Sequence, residues 1–204
     1  MARIGKKPGG SVARLRRLLA CSALALATPA MAQDVPFDAG WQFHRDGTAF
    51  DAARAETVTL PHTTRIEPRV VNDQWQGDAW YAKSFDAPEA WRGQTVMLRF
   101  EAAMNVADVW VNGRHVTQHL GGYLPFTIDL TPHLRIGAAN EVRVKLDNRD
   151  NAITGPKPLK LLDFNTYGGL YRGVRLSVKP PVHLSDEMLA DRVAGGGLFV
   201  TYPD

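Results

Sequence analysis

From Trp41 onward, apolar and polar residues alternate with a period of two rather than 3.6, the pattern of strands that bury one face. Trp80-Tyr81-Ala82-Lys83-Ser84-Phe85 and Thr95-Val96-Met97-Leu98-Arg99-Phe100 read as strands. Val142, Val144 and Leu146 alternate with Arg143 and Lys145 in a third, and Val174, Leu176 and Val178 alternate with Arg175 and Ser177 in a fourth. Asn112-Gly113 stands between Val109-Trp110-Val111 and Arg114-His115-Val116. That pair accepts positive φ at both centres of a type I′ turn, so it predicts a two-residue hairpin. Helical patterns are confined to about a turn near 51–55 and another near 131–134. Short strands divided by turn residues predict an all-β, antiparallel β-sandwich. Trp41, Trp80 and Trp110 lie in or beside strand patterns and are assigned to its packing.

Both ends of the chain depart from this pattern. A positive stretch through Arg17 is followed by an apolar run from Leu18 to Ala30, and Ala30-Met31-Ala32 offers a small-x-small cleavage pattern before Gln33. Residues 1–32 therefore read as a secretory signal peptide, the apolar run falling short of the roughly 20 residues that a membrane span needs. Export to the periplasm or medium follows. Leu18-Leu19-Ala20-Cys21 leaves lipoprotein anchoring as an alternative, and Arg16-Arg17 leaves the export route open. At the other end, Lys179-Pro180-Pro181 predicts a domain boundary, with Asp186-Glu187 in a solvated linker. Gly195-Gly196-Gly197 then precedes Leu198-Phe199-Val200-Thr201-Tyr202, read as a new strand. Residues 181–204 are accordingly expected to be the linker and first strand of a truncated second β domain.

The 204 residues are 45% hydrophobic and 22% charged, a balance that supports a packed core and excludes collagen-like or wholly disordered chains. The net charge of +3 suggests nucleic acid until its location is considered. Arg3, Lys6, Lys7, Arg14, Arg16 and Arg17 all lie in the leader; without them the 24 Lys and Arg fall to 18, against 21 Asp and Glu. The remainder is thus mildly acidic, which argues against a nucleic-acid partner. Cys21 is the single cysteine, so cleavage after Ala32 leaves a mature chain without a disulfide, stabilised by its core.

Several blocks, in order, carry a resemblance. They are Leu60-Pro61-His62-Thr63, the Trp80–Phe85 strand, Phe100-Glu101-Ala102-Ala103 through Ala107-Asp108-Val109-Trp110-Val111-Asn112-Gly113, and His119-Leu120-Gly121-Gly122-Tyr123-Leu124-Pro125-Phe126. Asn140-Glu141-Val142 with Asp147-Asn148, and Asp163 through Tyr167-Gly168-Gly169-Leu170-Tyr171-Arg172, complete the series. Together they resemble the N-terminal sugar-binding domain of glycoside hydrolase family 2, the β-galactosidase, β-glucuronidase and β-mannosidase group, over about Trp41 to Val178. The resemblance implies a jelly-roll, galactose-binding-like sandwich over 33–180. In complete members an immunoglobulin-like domain and a (β/α)8 barrel follow, and the barrel carries both catalytic glutamates. The function implied is the sugar-binding portion of an exported, β-galactosidase-type hydrolase, inactive alone. The alternatives are a stand-alone carbohydrate-binding module and a structural sandwich with a protein partner. The implied partners are a β-glycoside and the C-terminal domains, with no membrane span.

Asp163 is the foremost site candidate, because Leu162-Asp163-Phe164-Asn165-Thr166-Tyr167-Gly168-Gly169 sets a carboxylate and an amide among aromatics before a double-glycine turn. In the β-galactosidases it resembles, an aspartate at this place holds sugar hydroxyls, in some members through a sodium ion. A carboxylate accepts from two hydroxyls at once, and hard oxygen ligands suit a hard cation. The plain alternative is an aspartate that caps the Gly168-Gly169 turn. No cofactor is implied for this domain itself. Asn165 and Asn72 are further sugar-binding candidates, the latter balanced by a simple polar turn, and Trp75 offers an aromatic face for a pyranose. Asp147-Asn148-Arg149-Asp150-Asn151 reads as a turn closed by side-chain-to-backbone bonds. His115 and His119 stand four apart, but they follow a hairpin and have no third ligand nearby, so metal binding is not assigned. Gly121-Gly122 and Gly168-Gly169 lack a phosphate-binding context.

Overall fold

The computed structural model describes residues 32–155, 163–190, 192, 196–198 and 200–202. Apart from Ala32, the leader and Cys21 lie outside the described residues, as do Leu162, Gly195 and Phe199. Among the described residues ten strands form two antiparallel sheets: β1 (Gln33–Pro36), β2 (Trp41–Arg45), β3 (Glu56–Val58), β4 (Asp78–Ala87), β5 (Thr95–Phe100), β6 (Val106–Val111), β7 (Arg114–Leu120), β8 (Phe126–Asp129), β9 (Ala138–Asp147) and β10 (Val174–Lys179). One sheet runs β1-β10-β5-β8 and the other β3-β2-β4-β9-β6-β7. All four strands read from the alternation are present, and the sandwich they predict is the fold. Asn112 and Gly113 connect β6 to β7 with φ of 52° and 81°, the turn that the pair predicts.

Alternation places Tyr81, Val109, Val111, Val142, Val144 and Leu146 of one sheet against Leu98, Phe100, Ile128, Val174 and Leu176 of the other. Burying each large apolar side chain this way stabilises the fold by roughly 1.5–3 kcal/mol relative to exposure. Trp41 is fully enclosed in this core, and its Nε1 donates to the Phe37 carbonyl at 2.8 Å. Trp80 and Trp110 do not pack between the sheets. Their neighbours Tyr81, Val109 and Val111 point inward, so strand parity sends both indoles to the outer face of the six-stranded sheet. There the two rings lie 5.6 Å apart, and Trp80 Nε1 donates to the Gly47 carbonyl at 3.0 Å.

The helical patterns resolve into a turn at 51–55, where Asp51 Oδ1 accepts from Ala53 N–H at 2.9 Å, and a 3₁₀ turn at Thr131–His133. The tail departs from expectation. β10 ends at Lys179, before Pro180, whose ring nitrogen has no proton to donate to a ladder. Asp186 and Glu187 are not a free linker: Asp186 Oδ1 accepts from Met188 N–H at 2.9 Å and caps a one-turn helix, α1 (Glu187–Ala190). The Glu187 carboxylate reaches Arg99 on the outer face of the four-stranded sheet at 3.1 Å. Leu198, Val200, Thr201 and Tyr202 are not in a strand, and no described segment pairs with them. A strand without a partner has nothing to satisfy its backbone.

Among the described residues, no helix is long and apolar enough to cross a membrane.

Candidate functional site

The long connections gather at one end of the sandwich. The start of β4, the start of β6 and the end of β9 meet there through Asp78, Val106 and Asp147, and the start of β10, the end of β5 and the start of β8 meet through Val174, Phe100 and Phe126. Loops 59–77, 101–105 and 121–125 leave from these points, as does the connection from β9 to β10, described over 148–155 and 163–173. Two of the sequence blocks prove to be opposite sides of one backbone contact. His62 N–H donates to the Leu170 carbonyl at 2.9 Å and Thr64 N–H to the Gly168 carbonyl at 3.1 Å, with the Thr63 hydroxyl adding a bond to Gly168 O at 2.9 Å. Gly169 has φ +109°, and a Cβ there would lie 2.7 Å from both the His62 carbonyl and the Tyr81 hydroxyl. Gly169 is therefore required by close approach of the Leu-Pro-His turn, whereas a Cβ at Gly168 would meet Asn148 Nδ2 at 2.5 Å. His62 Nδ1 lies 2.9 Å from the Tyr81 hydroxyl. Burial pushes the Tyr81 phenol far up. Burial also lowers His62 from its ordinary value, an effect partly opposed by the Glu56 carboxylate.

Loop 59–77 and the β9–β10 connection are tied a second time by side-chain amides. Asn165 Oδ1 accepts from Val71 N–H at 3.1 Å, and its Nδ2 donates to the Arg69 carbonyl at 2.8 Å and to the Tyr167 hydroxyl at 3.1 Å. In the reverse direction, Gln74 Oε1 accepts from Thr166 N–H at 2.6 Å. The Tyr167 hydroxyl donates to the Glu67 carbonyl at 2.9 Å. Asn148 closes the base: its Oδ1 accepts from Gly77 N–H at 2.8 Å and its Nδ2 donates to the Trp75 carbonyl at 3.0 Å. Asp147 Oδ1 and Asn151 Oδ1 accept from backbone N–H groups two residues on, at 2.9 and 3.0 Å, so the Asp147–Asn151 cluster is a turn held as its composition predicts.

Of the four candidate sugar ligands, Asp163 and Asn72 are exposed on neighbouring loops of this end. Among the described residues Asp163 makes no hydrogen bond to the Gly168-Gly169 turn. Asn165 spends both ends of its amide on protein groups. Trp75 is half-buried: its ring covers Gly77, where a Cβ would lie 2.8 Å away, and the Arg45 guanidinium sits 5.9 Å from the ring centre. His115 and His119 are brought to opposite faces by a bulge at Val109/Trp110. His115 Nε2 lies 2.8 Å from Asp108 outside, and the His119 ring stacks on Phe126 inside, with centres 4.3 Å apart. Sequence reasoning passes over Gln74, because an isolated glutamine in a polar loop carries no periodic signal. Tyr167 and Tyr171 are visible only as parts of a family block.

Residues 27–180 match the profile of the glycosyl hydrolases family 2 sugar binding domain. The chain belongs to family 2. This family 2 domain is 34% identical over 153 residues to a β-galactosidase of Thermoanaerobacter pseudethanolicus, covering 71% of the chain and 20% of that protein. It is 33% identical over 174 residues to a β-glucuronidase of Formosa agariphila, covering 78% of the chain and 16% of that protein. Among solved structures, a Bacteroides uniformis β-glucuronidase bound covalently to cyclophellitol-6-carboxylate aziridine superposes with a TM-score of 0.66 at 29% identity, covering 74% of this chain and 18% of that one. The chain thus spans about a fifth of the length of such relatives.

The loop end of the family 2 domain carries two shallow cavities that share Tyr167 and Tyr171. One of about 280 Å³ adds Pro61, His62 and Thr63, and one of about 170 Å³ adds Tyr123 and Phe164. Around them Ile66, Val70, Tyr123, Leu124, Ile153 and Phe164 are exposed. A larger cavity, about 500 Å³, lies at the opposite end against Phe37, Phe85 and Trp91. Its Lys83 ammonium is already satisfied by the Phe37 and Ala39 carbonyls at 3.0 and 2.5 Å. The nearest acidic pair at the loop end, Asp78 and Asp147, is neutralised by Arg149 at 3.2 and 2.9 Å. Among the described residues no three His, Cys, Asp or Glu side chains converge. Asp163 is thus a single carboxylate that belongs to no such cluster among the described residues. No step is assigned to a sodium ion.

Proposed function

We propose that this domain is the N-terminal sugar-binding portion of an exported family 2 hydrolase of β-galactosidase type, cleaving O-glycosyl bonds on a barrel beyond these residues. The observation that carries this reading is the coincidence at one end of the sandwich of two exposed polar tips, Asp163 and Asn72, with a rim of exposed apolar side chains. Such a rim has the character of a surface that another part of a protein covers. In this reading the rim seats the catalytic part, and Asp163 projects to the edge of its pocket, where it accepts hydrogen bonds from substrate hydroxyls. Binding energy from Asp163 raises turnover only where it is larger at the transition state than in the bound substrate. The leader directs the protein out of the cytoplasm, and the segment after Lys179 leads toward the next domain.

The test uses the complete hydrolase that carries this domain. Asp163→Asn is expected to lower kcat/KM on nitrophenyl-β-galactoside by about tenfold or more, the loss of a charge-assisted hydrogen bond of roughly 1.5–3 kcal/mol. An unchanged kcat/KM reduces Asp163 to a loop residue. Faster turnover of nitrophenyl-β-glucuronide than of the galactoside by the same enzyme replaces the galactosidase assignment with a glucuronidase one.

A further inference from the structure

We infer that Gln74 and Asn165 form a reciprocal amide clamp that positions Asp163 and Asn72 relative to one another, so that these two exposed tips act as a unit. The inference rests on the sugar-contact reading of Asp163. Each loop contributes one amide side chain that grips the backbone of the other. Asn165, two residues after Asp163, holds the N–H of Val71, the residue before Asn72, and the carbonyl of Arg69. Gln74, two residues after Asn72, holds the N–H of Thr166.

A single hydrogen bond between two loops leaves them a hinge. Two bonds running in opposite directions and originating on opposite sides remove rotation as well as separation. Tyr167 braces the assembly by accepting from Asn165 and donating to Glu67 O. Gln74 is buried, only 7% exposed, so no water replaces its bond to Thr166 at low cost. Neither amide has a spare polar group directed at ligand in this arrangement. Both act through the tips they hold and are positioning residues.

Two measurements test this. In the chain itself, Gln74→Leu removes the partner of Thr166 N–H directly. Gln74 Nε2 also reaches the Val71 carbonyl, at a long 3.4 Å, but the Val71 N–H is held by Asn165, which is untouched; if the clamp is a unit, amide exchange at Val71 also accelerates by about tenfold. Accelerated exchange at Thr166 with Val71 unchanged overturns the reciprocity. In the complete hydrolase, Gln74→Leu is expected to lower kcat/KM about tenfold in the wild-type background but less than about twofold in Asp163→Asn, because the two tips act as a unit and the Asp163 contact that their relative placement serves is already lost. Equal losses in both backgrounds overturn the positioning role and leave the sugar-contact reading of Asp163 standing. If Asp163→Asn is itself silent, the reading of Asp163 fails and the clamp fails with it. The half-buried site supplies a second variant that does not open the core: Asn165→Ala is expected to show the same background dependence, and additivity with Asp163→Asn overturns the proposal.

Discussion

The two ends of the sandwich are built differently. At the β6–β7 end, Asn112 and Gly113 make the turn through their own backbone angles, and the Asn112 side chain ties down groups 21 to 29 residues away, including Glu141 N–H at 3.0 Å. At the loop end the equivalent amides, Asn148, Asn165 and Gln74, reach across 71 to 96 residues. One end is ordered by short-range geometry and the other by side chains that join distant loops. A long loop ordered in this way keeps exposed tips available for ligand while its base is held, which fits the general placement of binding residues on loops carried by a rigid scaffold.

Three experiments would break or sharpen this contrast. The largest effect is expected from Asn148→Ala at the loop end. It strands the buried Gly77 N–H and Trp75 carbonyl, at about 1–3 kcal/mol for each unsatisfied group. Urea unfolding should show a loss of roughly 2–3 kcal/mol, and a loss under about 0.5 kcal/mol would mean that water replaces the amide and the loop end is less dependent on side chains than its geometry indicates. A smaller effect is expected from Gly113→Ala at the hairpin end. A Cβ there meets nothing within 4 Å, so the penalty is purely that of φ +81°, about 1 kcal/mol. A cost as large as that of Asn148→Ala would contradict the division between the two ends.

The smallest effect is expected from pH. Burial lowers His62 and His119, so both resist protonation in the fold more than in the unfolded chain. The unfolded state then binds more protons between the two values, so stability is full above about pH 6.5, falls as acid protonates the unfolded-state imidazoles below it, and levels off once the folded-state groups are protonated as well. Unfolding midpoints at about pH 7.5 and pH 5.5 should therefore fall in that order, and the drop should shrink in His62→Gln. An equal drop in that variant would remove His62 from the account and leave the sensitivity to His119 at the other side of the loop end.

Much of the fold is legible in the residues. Val142, Val144 and Leu146 announce an inward face because strand side chains alternate, and the same parity, applied to Tyr81, Val109 and Val111, places Trp80 and Trp110 outside. Assigning those two indoles to the packing of the sandwich relied on their lying in or beside strand patterns, without asking which face each position takes. Asp186-Glu187 look like solvated charge in the sequence, yet one caps a helical turn and the other meets Arg99, a partner 88 residues away. At the loop end, Asp163 and Asn72 can be nominated from local composition and from the family blocks. The amide of Asn165 looks equally suited to a sugar until the Arg69 and Val71 backbone groups that occupy it are seen.

Side-chain alternation, turn chemistry and the family blocks act over a few residues, so strands, the Asn-Gly hairpin and membership of family 2 could be read along the chain. Which amide faces solvent and which grips a loop, and which face of a strand a tryptophan shares with the core, depended on atoms brought together from opposite ends of the sequence. Those choices are made by packing and by the penalty for leaving a buried backbone group without a partner, and neither quantity exists until the two sheets have closed.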